Sequence, residues 1–206
     1  DTRAIYRRIA THLPRYRPYF EKAAARHNLD WRLLAAISYQ ESHWNPKAVS
    51  STGVKGLMML TRATAKEMNI DDRTDPKQSI EAGTGYLMSL RDRLPDRMKD
   101  SDKLWLALAS YNVGLGHVED ARVITQQQGK NPDLWSDVKD HLPLLSKKKW
   151  YSKTRYGYAR GGEPVRYIEN IRRYYDILLH ELGNNDKMPA SSPEDIGNAL
   201  PPPSAL

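Results

Sequence analysis

The sequence predicts a fold that is all-α or nearly so. Three observations support this prediction. From residue 61 onward, apolar residues recur at the three- and four-residue intervals of amphipathic helices through most of the chain. The chain has no internal repeat and no β-rich stretch. Its length of 206 residues suits one domain with a small appendage and is enough to enclose a sizeable core.

The first part of the chain is predicted to form helices that end at recognisable signals. Residues 1–28 are expected to give one or two amphipathic helices, broken by Pro14 and Pro18. Asp30 is the predicted N-cap of a stronger helix over 31–41, which contains no Gly or Pro.

The middle and end of the chain are predicted to contain two irregular stretches between further helices. Residues 45–56 are rich in turn formers and 146–163 are basic and aromatic, so both are expected to be loops. Further helices are predicted from Asp75–Pro76, from Asp102, over 117–128, over 133–141 and from Glu163–Pro164 to Gly183. We therefore expect a helical linker over 1–28, packed on or leading into one domain over 29–182, and a disordered tail over 183–206.

Composition narrows the possible chemistry. Lys and Arg total 32 against 25 Asp and Glu, giving a net charge of +7, which favours anionic surroundings or serves only solubility. The absence of Cys excludes disulfides, thiol nucleophiles and Cys-based zinc sites. The six His are dispersed and no phosphate-loop or HExxH motif occurs, so neither a metal site nor a cofactor is predicted. No apolar run approaches the roughly 18 residues of a transmembrane helix.

One carboxylate occupies an unusual position. Glu41 follows Leu34, Ile37 and Ser38 by seven, four and three residues, which puts it on the apolar stripe of its helix. Loss of hydration there would raise the pKa of the carboxyl group and suit it to act as a general acid. The alternative is that Glu41, one turn from the helix end, turns to solvent or caps the following loop.

Aromatic residues are dominated by types that carry a polar group. The chain has twelve Tyr and five Trp but one Phe, and six of the Tyr lie between Tyr151 and Tyr175, among Lys and Arg residues. Such side chains stack on sugar rings and hydrogen-bond to hydroxyls, so the cluster suggests a groove for an anionic polymer. The alternative is that each tyrosine is half-buried on its own helix.

Three ordered motifs carry a resemblance to a known family. They lie at Glu41–Pro46, Gly56–Met58 and Ser110–Gly114, with a short serine-containing loop at Ser50–Gly53 after the first. In this order and spacing the sequence resembles the soluble-lytic-transglycosylase domain of the goose-lysozyme-like glycosidases, over residues from about 28 to about 182. The resemblance implies a lysozyme-like, goose-type helical domain with a substrate cleft.

The resemblance also implies an activity and a location. The substrate would be peptidoglycan, cleaved at the MurNAc-GlcNAc β-1,4 bond with formation of 1,6-anhydromuramyl ends. Family members of this type carry an N-terminal solute-binding-like module and act in the periplasm, associated with the outer membrane. The chain begins Asp1-Thr2-Arg3 without such a module or an export signal, so it is expected to be a fragment, or a processed form, of a longer protein.

Residue roles follow from the same resemblance. Glu41 would be the catalytic residue, acting first as acid and then as base. The residues assigned to substrate binding are Ser50, Met58, Met59, Tyr111, Asn112, Tyr158 and Tyr167. The wider family usually has Gln at the position of Met59, so a hydrogen bond made by that Gln would be missing here. Met at such spacing is also a common core residue.

Two other functions remain open from the sequence. A muramidase on the same fold would use water as the acceptor. A non-catalytic basic module would bind glycan, anionic lipid or nucleic acid, although no specific nucleic-acid motif is visible. Loss of turnover on replacing Glu41 distinguishes either enzyme from the binding module.

Overall fold

The structure, a computed structural model, describes residues 2–183 and contains no β-strand within that span. Its elements are α1 Thr2–Thr11, α2 Leu13–His27, α3 Trp31–Ser42, α4 Arg62–Glu67, α5 Pro76–Asp92, α6 Asp100–Val113, α7 Leu115–Gln127, α8 Trp135–His141, a 3₁₀ segment Leu142–Ser146, α9 Lys148–Tyr151 and α10 Gly162–Leu182. The predicted all-α class is confirmed. Apart from Gly183, the tail predicted over 183–206 lies outside the described residues.

The described residues form two compact units. The first unit comprises 2–86 with 170–183, and the second comprises Leu87–Glu169. Helices α5 and α10 each begin in one unit and end in the other. The boundaries predicted at 28/29 and 182/183 stay a prediction.

The core of the first unit forms where α2 packs against α3. Pro18 was expected to break the N-terminal helix, but α2 continues through it. An interior Pro costs a helix about 3 kcal/mol. Burial of Tyr16 and Phe20 on the same helix is worth about 1.5–3 kcal/mol for each large side chain, which offsets that cost. The break falls instead between Thr11 and Leu13.

The core of the second unit centres on α6, whose residues Trp105–Ser110 are all buried. The helix starts at Asp100 rather than at Asp102, the start predicted from the sequence. The carboxylate of Asp102 instead accepts a hydrogen bond of 2.9 Å from the backbone N–H of Trp135, the first residue of α8. An acid expected to begin one helix therefore stabilises the beginning of another.

Other predicted boundaries agree with the structure or shift slightly. Asp75 accepts from the N–H of Gln78 at 2.9 Å, so its predicted role as the N-cap of α5 is confirmed. The last helix begins at Gly162, within one residue of the prediction. The stretch 146–163 is not one continuous loop, because α9 lies within it. None of the described helices is long and apolar enough to cross a bilayer.

Candidate active site

A buried ionic cluster fixes the beginning of α3. The Asp30 carboxylate accepts from the backbone N–H of Arg32 at 3.0 Å and from its guanidinium at 3.0–3.2 Å. It also accepts from the hydroxyl of Tyr175 at 2.6 Å. Burial, followed by the nearby negative charge of Asp30, raises the pKa of Tyr175, so this hydroxyl keeps its proton and remains a donor. The buried carboxylate is therefore satisfied by three partner groups.

The chain turns sharply directly after α3. His43 and Trp44 have φ values of 53° and 57°, a region that residues other than Gly rarely adopt. The indole of Trp44 is fully buried, and its Nε1 donates to the carbonyl of Ala35 at 2.8 Å. Its ring also contacts that of Tyr39 edge-on at 4.8 Å. Burial of a large aromatic side chain and a satisfied indole N–H hold this strained turn in place.

Glu41 lies at the penultimate position of α3 and is half-buried. Two serines on either side of it attach this helix end to the next motif. The hydroxyls of Ser38 and Ser42 each lie 2.9 Å from the carbonyl oxygen of Leu57, and we call this arrangement the Leu57 junction. Ser42 Oγ is also 3.0 Å from the carbonyl of Ser38, so its one hydrogen is shared between two acceptors. The junction restrains the backbone that carries Glu41.

The segment that contains Leu57 is a tight turn. Lys55 and Leu60 exchange two backbone hydrogen bonds of 3.0 and 2.8 Å. Gly56 has a φ of 90°, and a Cβ there would lie 1.9 Å from the carbonyl oxygen of Arg73. Only Gly fits this position, both for its backbone conformation and for the close approach.

The two predicted substrate-contacting methionines differ in exposure. Met58 is fully buried against α5, where its N–H donates to Ser79 Oγ at 3.1 Å. A Cβ on Gly83, one turn further along α5, would lie 2.6 Å from Met58 Cβ, so the absence of a side chain at Gly83 permits this packing. Met59 is half-buried and has a φ of 49°. Of the pair, Met59 is the one with solvent-accessible surface.

The hydroxyl of Ser50 organises its own loop. Its Oγ accepts from the N–H groups of Thr52 and Val54, both at 3.2 Å, and lies 2.9 Å from Thr52 Oγ1. Ser50 is half-buried. This is the behaviour of a turn serine, and the substrate contact assigned to Ser50 stays a prediction.

The remaining predicted site residues belong to the second unit. Tyr111 is half-buried and Asn112 exposed, both in the last turn of α6. Tyr158 is 54% exposed and meets the ring of Tyr151 edge-on at 5.5 Å. Tyr167 is buried on α10. The pKa of Arg160 is raised by its hydrogen bond to the Tyr158 hydroxyl.

The sequence missed the positioning residues of this site. In the sequence, Ser38 only marked the helix face on which Glu41 lies, and Ser42 was only one member of the Glu41–Pro46 motif. In the structure, both serines hydrogen-bond to the carbonyl oxygen of Leu57. In the sequence, two serines four residues apart with a glutamate between them are the pattern that could have indicated this arrangement. Within residues 2–183, no group of three or more His, Cys, Asp or Glu is arranged to hold a metal ion.

Comparison with known proteins agrees with the sequence resemblance. The family model of the transglycosylase SLT domain matches residues 18–134. Proteins named membrane-bound lytic murein transglycosylase F from Alteromonas mediterranea and Shewanella halifaxensis are 59% and 60% identical over 179 residues, 87% of this chain. One from Marinobacter nauticus is 54% identical over 94% of it. The chain spans 37–38% of the length of these three relatives.

Two solved structures have a similar fold. The match to an inactive variant of lytic transglycosylase Slt from Pseudomonas aeruginosa covers 81% of this chain and 24% of that protein, with a TM-score of 0.55 and 21% identity. The match to the 70 kDa soluble lytic transglycosylase from Escherichia coli covers 87% of this chain and 26% of that protein, with a TM-score of 0.58 and 21% identity. These likenesses confirm the predicted lysozyme-like helical fold. Because the family model matches more than half of its residues, the chain belongs to the transglycosylase SLT domain family.

Proposed function

We propose that this chain is a peptidoglycan lytic transglycosylase that cleaves the β-1,4 bond between MurNAc and GlcNAc and leaves 1,6-anhydromuramyl ends. Membership of the family and the names of the close relatives support the activity. The observation that carries the mechanism is the position of Glu41. It is a half-buried carboxyl group at a helix end restrained by the Leu57 junction.

The proposed reaction uses Glu41 twice. Protonated Glu41 first donates its hydrogen to the glycosidic oxygen as the C1–O bond breaks and an oxocarbenium-like centre develops. The carboxylate then accepts the hydrogen of the C6 hydroxyl of the same sugar while O6 bonds to C1. Glu41 regains its proton and no water is consumed. Because the nucleophile belongs to the substrate, ring closure benefits from proximity.

A single carboxylate is sufficient for this chemistry. Most glycosidases need a second carboxylate as nucleophile or as the base that activates water. No Asp or Glu occurs in the sequence between Glu41 and Glu67. A group that serves as both acid and base must stay aligned through two steps, and the two serine hydroxyls on Leu57 suit that requirement.

We propose that the other assigned residues bind the glycan. Tyr111, Tyr158 and Tyr167 would supply aromatic faces and hydroxyls, and Asn112 would hold the local backbone. Ser50 would donate its hydrogen to the substrate while its oxygen keeps the loop contacts. Met59 would contact the sugar, with Met58 supporting it from the core.

The location is part of the proposal. The relatives are named as membrane-bound, and this chain matches less than half of their length. We propose that the activity takes place in the periplasm in association with the outer membrane, and that the glycan-cleaving part works beside a solute-binding-like module.

Digestion of purified sacculi tests the function. We expect Glu41→Gln to abolish release of soluble fragments while glycan binding is retained, and Glu67→Gln, a change at an exposed residue, to leave release unchanged. Products of the unaltered protein should carry anhydro ends by mass spectrometry. Reducing ends would indicate a muramidase, and unchanged function in Glu41→Gln would indicate a binding module; either result contradicts the proposal.

A further inference from the structure

A cavity of about 570 Å³ lies entirely within the second unit. One wall is the face of α7 that carries Val123 and Gln127, and the other is formed by residues 149–155. The volume lies within the roughly 300–1,000 Å³ of small-ligand sites. None of the residues assigned to glycan cleavage lines this cavity.

The cavity is strongly basic. Lys149, Lys153 and Arg155 all line it, and within residues 2–183 no carboxylate pairs with any of the three. Among the lining residues that the structure describes, Asp120 is the acidic one. Its carboxylate is buried and accepts from the backbone N–H groups of Arg155 at 3.3 Å and Tyr156 at 2.9 Å. The cations are therefore available to an anionic ligand.

The rest of the lining has the chemistry that recognises a peptide. Gln127 and Gln128 present side-chain amides, which pair with both the N–H and the C=O of a peptide group. Val123, an exposed apolar residue at 53%, and the half-buried Trp150 supply apolar contact. The ammonium of Lys149 lies 5.8 Å from the Trp150 ring centroid. A matching ligand has carboxylates for the cations, peptide groups for the glutamine amides and short apolar side chains for Val123 and Trp150. An acidic peptide has all three.

The wall formed by 149–155 is held in shape before any ligand arrives. Thr154 Oγ1 donates to the carbonyl of Tyr151 at 2.9 Å and accepts from the N–H of Gly157 at 3.1 Å. Asp120 attaches the same segment to α7 through the two backbone bonds described above. A site that is already ordered loses less entropy on binding.

We propose that this cavity binds a short acidic peptide. Resting on the proposed function, the natural ligand is the carboxylate-bearing stem peptide attached to peptidoglycan strands. The cavity then recognises the peptide part of a substrate whose glycan part is cleaved by Glu41.

Direct binding of a sugar-free peptide tests this inference. The probe is the tetrapeptide L-Ala-γ-D-Glu-meso-diaminopimelate-D-Ala, titrated by calorimetry into the Glu41→Gln protein, so that catalysis plays no part. We expect Lys149→Gln/Lys153→Gln to weaken binding about tenfold or more. The matched control Lys147→Gln/Lys148→Gln, which removes the same charge from exposed neighbours outside the lining, should change the Kd less than twofold.

Two further arms use the protein with its lysines intact, and so do not depend on how the variants fold. The same peptide with amidated carboxylates should bind at least tenfold more weakly. A short polyphosphate should not displace the acidic peptide. Equal losses in both double variants, undiminished binding of the amidated peptide, or displacement by polyphosphate would each overturn the inference. Failure of sacculus digestion with peptide binding intact would overturn only the proposed function.

Discussion

The hydroxyl oxygen of Ser42 lies 2.9 Å from the carbonyl oxygen of Leu57. Ser42 follows Glu41 directly, and Leu57 belongs to the Gly56–Met58 motif, so this one contact joins two motifs that are 15 residues apart in sequence. Ser38 makes a second bond of the same length to the same oxygen. A carbonyl has two lone pairs, and both are used here. Through these two bonds the turn that contains Leu57 restrains the helix end that carries Glu41.

Removing the Leu57 junction should lower both stability and turnover. Ser38→Ala/Ser42→Ala leaves the buried carbonyl of Leu57 without its two hydroxyl donors, at a cost of about 1–3 kcal/mol in the free energy of unfolding. Turnover on sacculi should fall about tenfold or more, because Glu41 loses its alignment. Chemical denaturation and initial rates measure the two effects. Ser51→Ala, at an exposed position, is the control, and an equal effect there would refute the role of the junction.

Gly83 should not tolerate even one added methyl group. In Gly83→Ala the new Cβ would lie 2.6 Å from Met58 Cβ, and neither backbone can easily move. Overpacking of this kind costs about 1–3 kcal/mol of stability. Gly85→Ala on the same helix is the matched control, because its Cβ meets only the flexible terminal methyl of Met68 and Ala favours a helix. A lower melting temperature for Gly85→Ala than for Gly83→Ala would contradict this packing.

The hydroxyl of Tyr175 should contribute to the stability of the first unit. Tyr175→Phe removes one of the donors to the buried Asp30 carboxylate and should cost about 1–3 kcal/mol. Tyr174→Phe is the neighbouring control, because the Tyr174 hydroxyl makes no hydrogen bond to residues 2–183. Denaturant unfolding of both variants measures the difference. Equal stabilities would show that the Tyr175–Asp30 bond contributes nothing.

An ion pair in the second unit should make stability depend on pH. A hydrogen bond from Arg97, at 2.6 Å, and then one from Arg122, at 2.8 Å, lower the pKa of Asp133. A carboxyl whose folded pKa is depressed contributes stability above its unfolded pKa of about 3.9, and that stability is lost as pH falls through the folded pKa.

The difference in melting temperature between the unaltered protein and Asp133→Asn measures this effect. It should be greatest at pH 7 and should narrow progressively below about pH 4. Asp140→Asn, at an exposed acid on α8, should show a small difference at every pH. A gap for Asp133→Asn that stays constant down to pH 3 would contradict the assigned cause.

Local signals in the sequence predicted the elements that depend on local physics. The capping of α5 by Asp75 and the place of Glu41 near the end of α3 could be predicted, because capping and periodicity act within one or two turns of a helix. The helix boundaries that the sequence predicted wrongly depend on residues that are distant in the chain or on burial in the fold. Pro18 is tolerated because α2 is buried along one face, and Asp102 caps a helix that begins 33 residues later. Neither effect leaves a mark in a short stretch of sequence.

The same distinction applies to the candidate site. That Glu41 lies in the last turn of its helix was predictable from the sequence, whereas the restraint on that helix end was not, because Leu57 meets Ser38 and Ser42 only in the folded chain. Trp44 is a similar case. Its positive φ depends on burial of the indole and on a hydrogen bond to Ala35 in the preceding helix.

The central claim is that Glu41 transfers a proton twice and that the attacking oxygen comes from the substrate. Digestion of sacculi in water enriched in ¹⁸O tests it most directly, with fragments analysed by mass spectrometry. We expect the unaltered protein to release anhydro-ended fragments without ¹⁸O, and Glu41→Gln to release none. Reducing ends that carry ¹⁸O, or fragment release that persists in Glu41→Gln, would contradict the account.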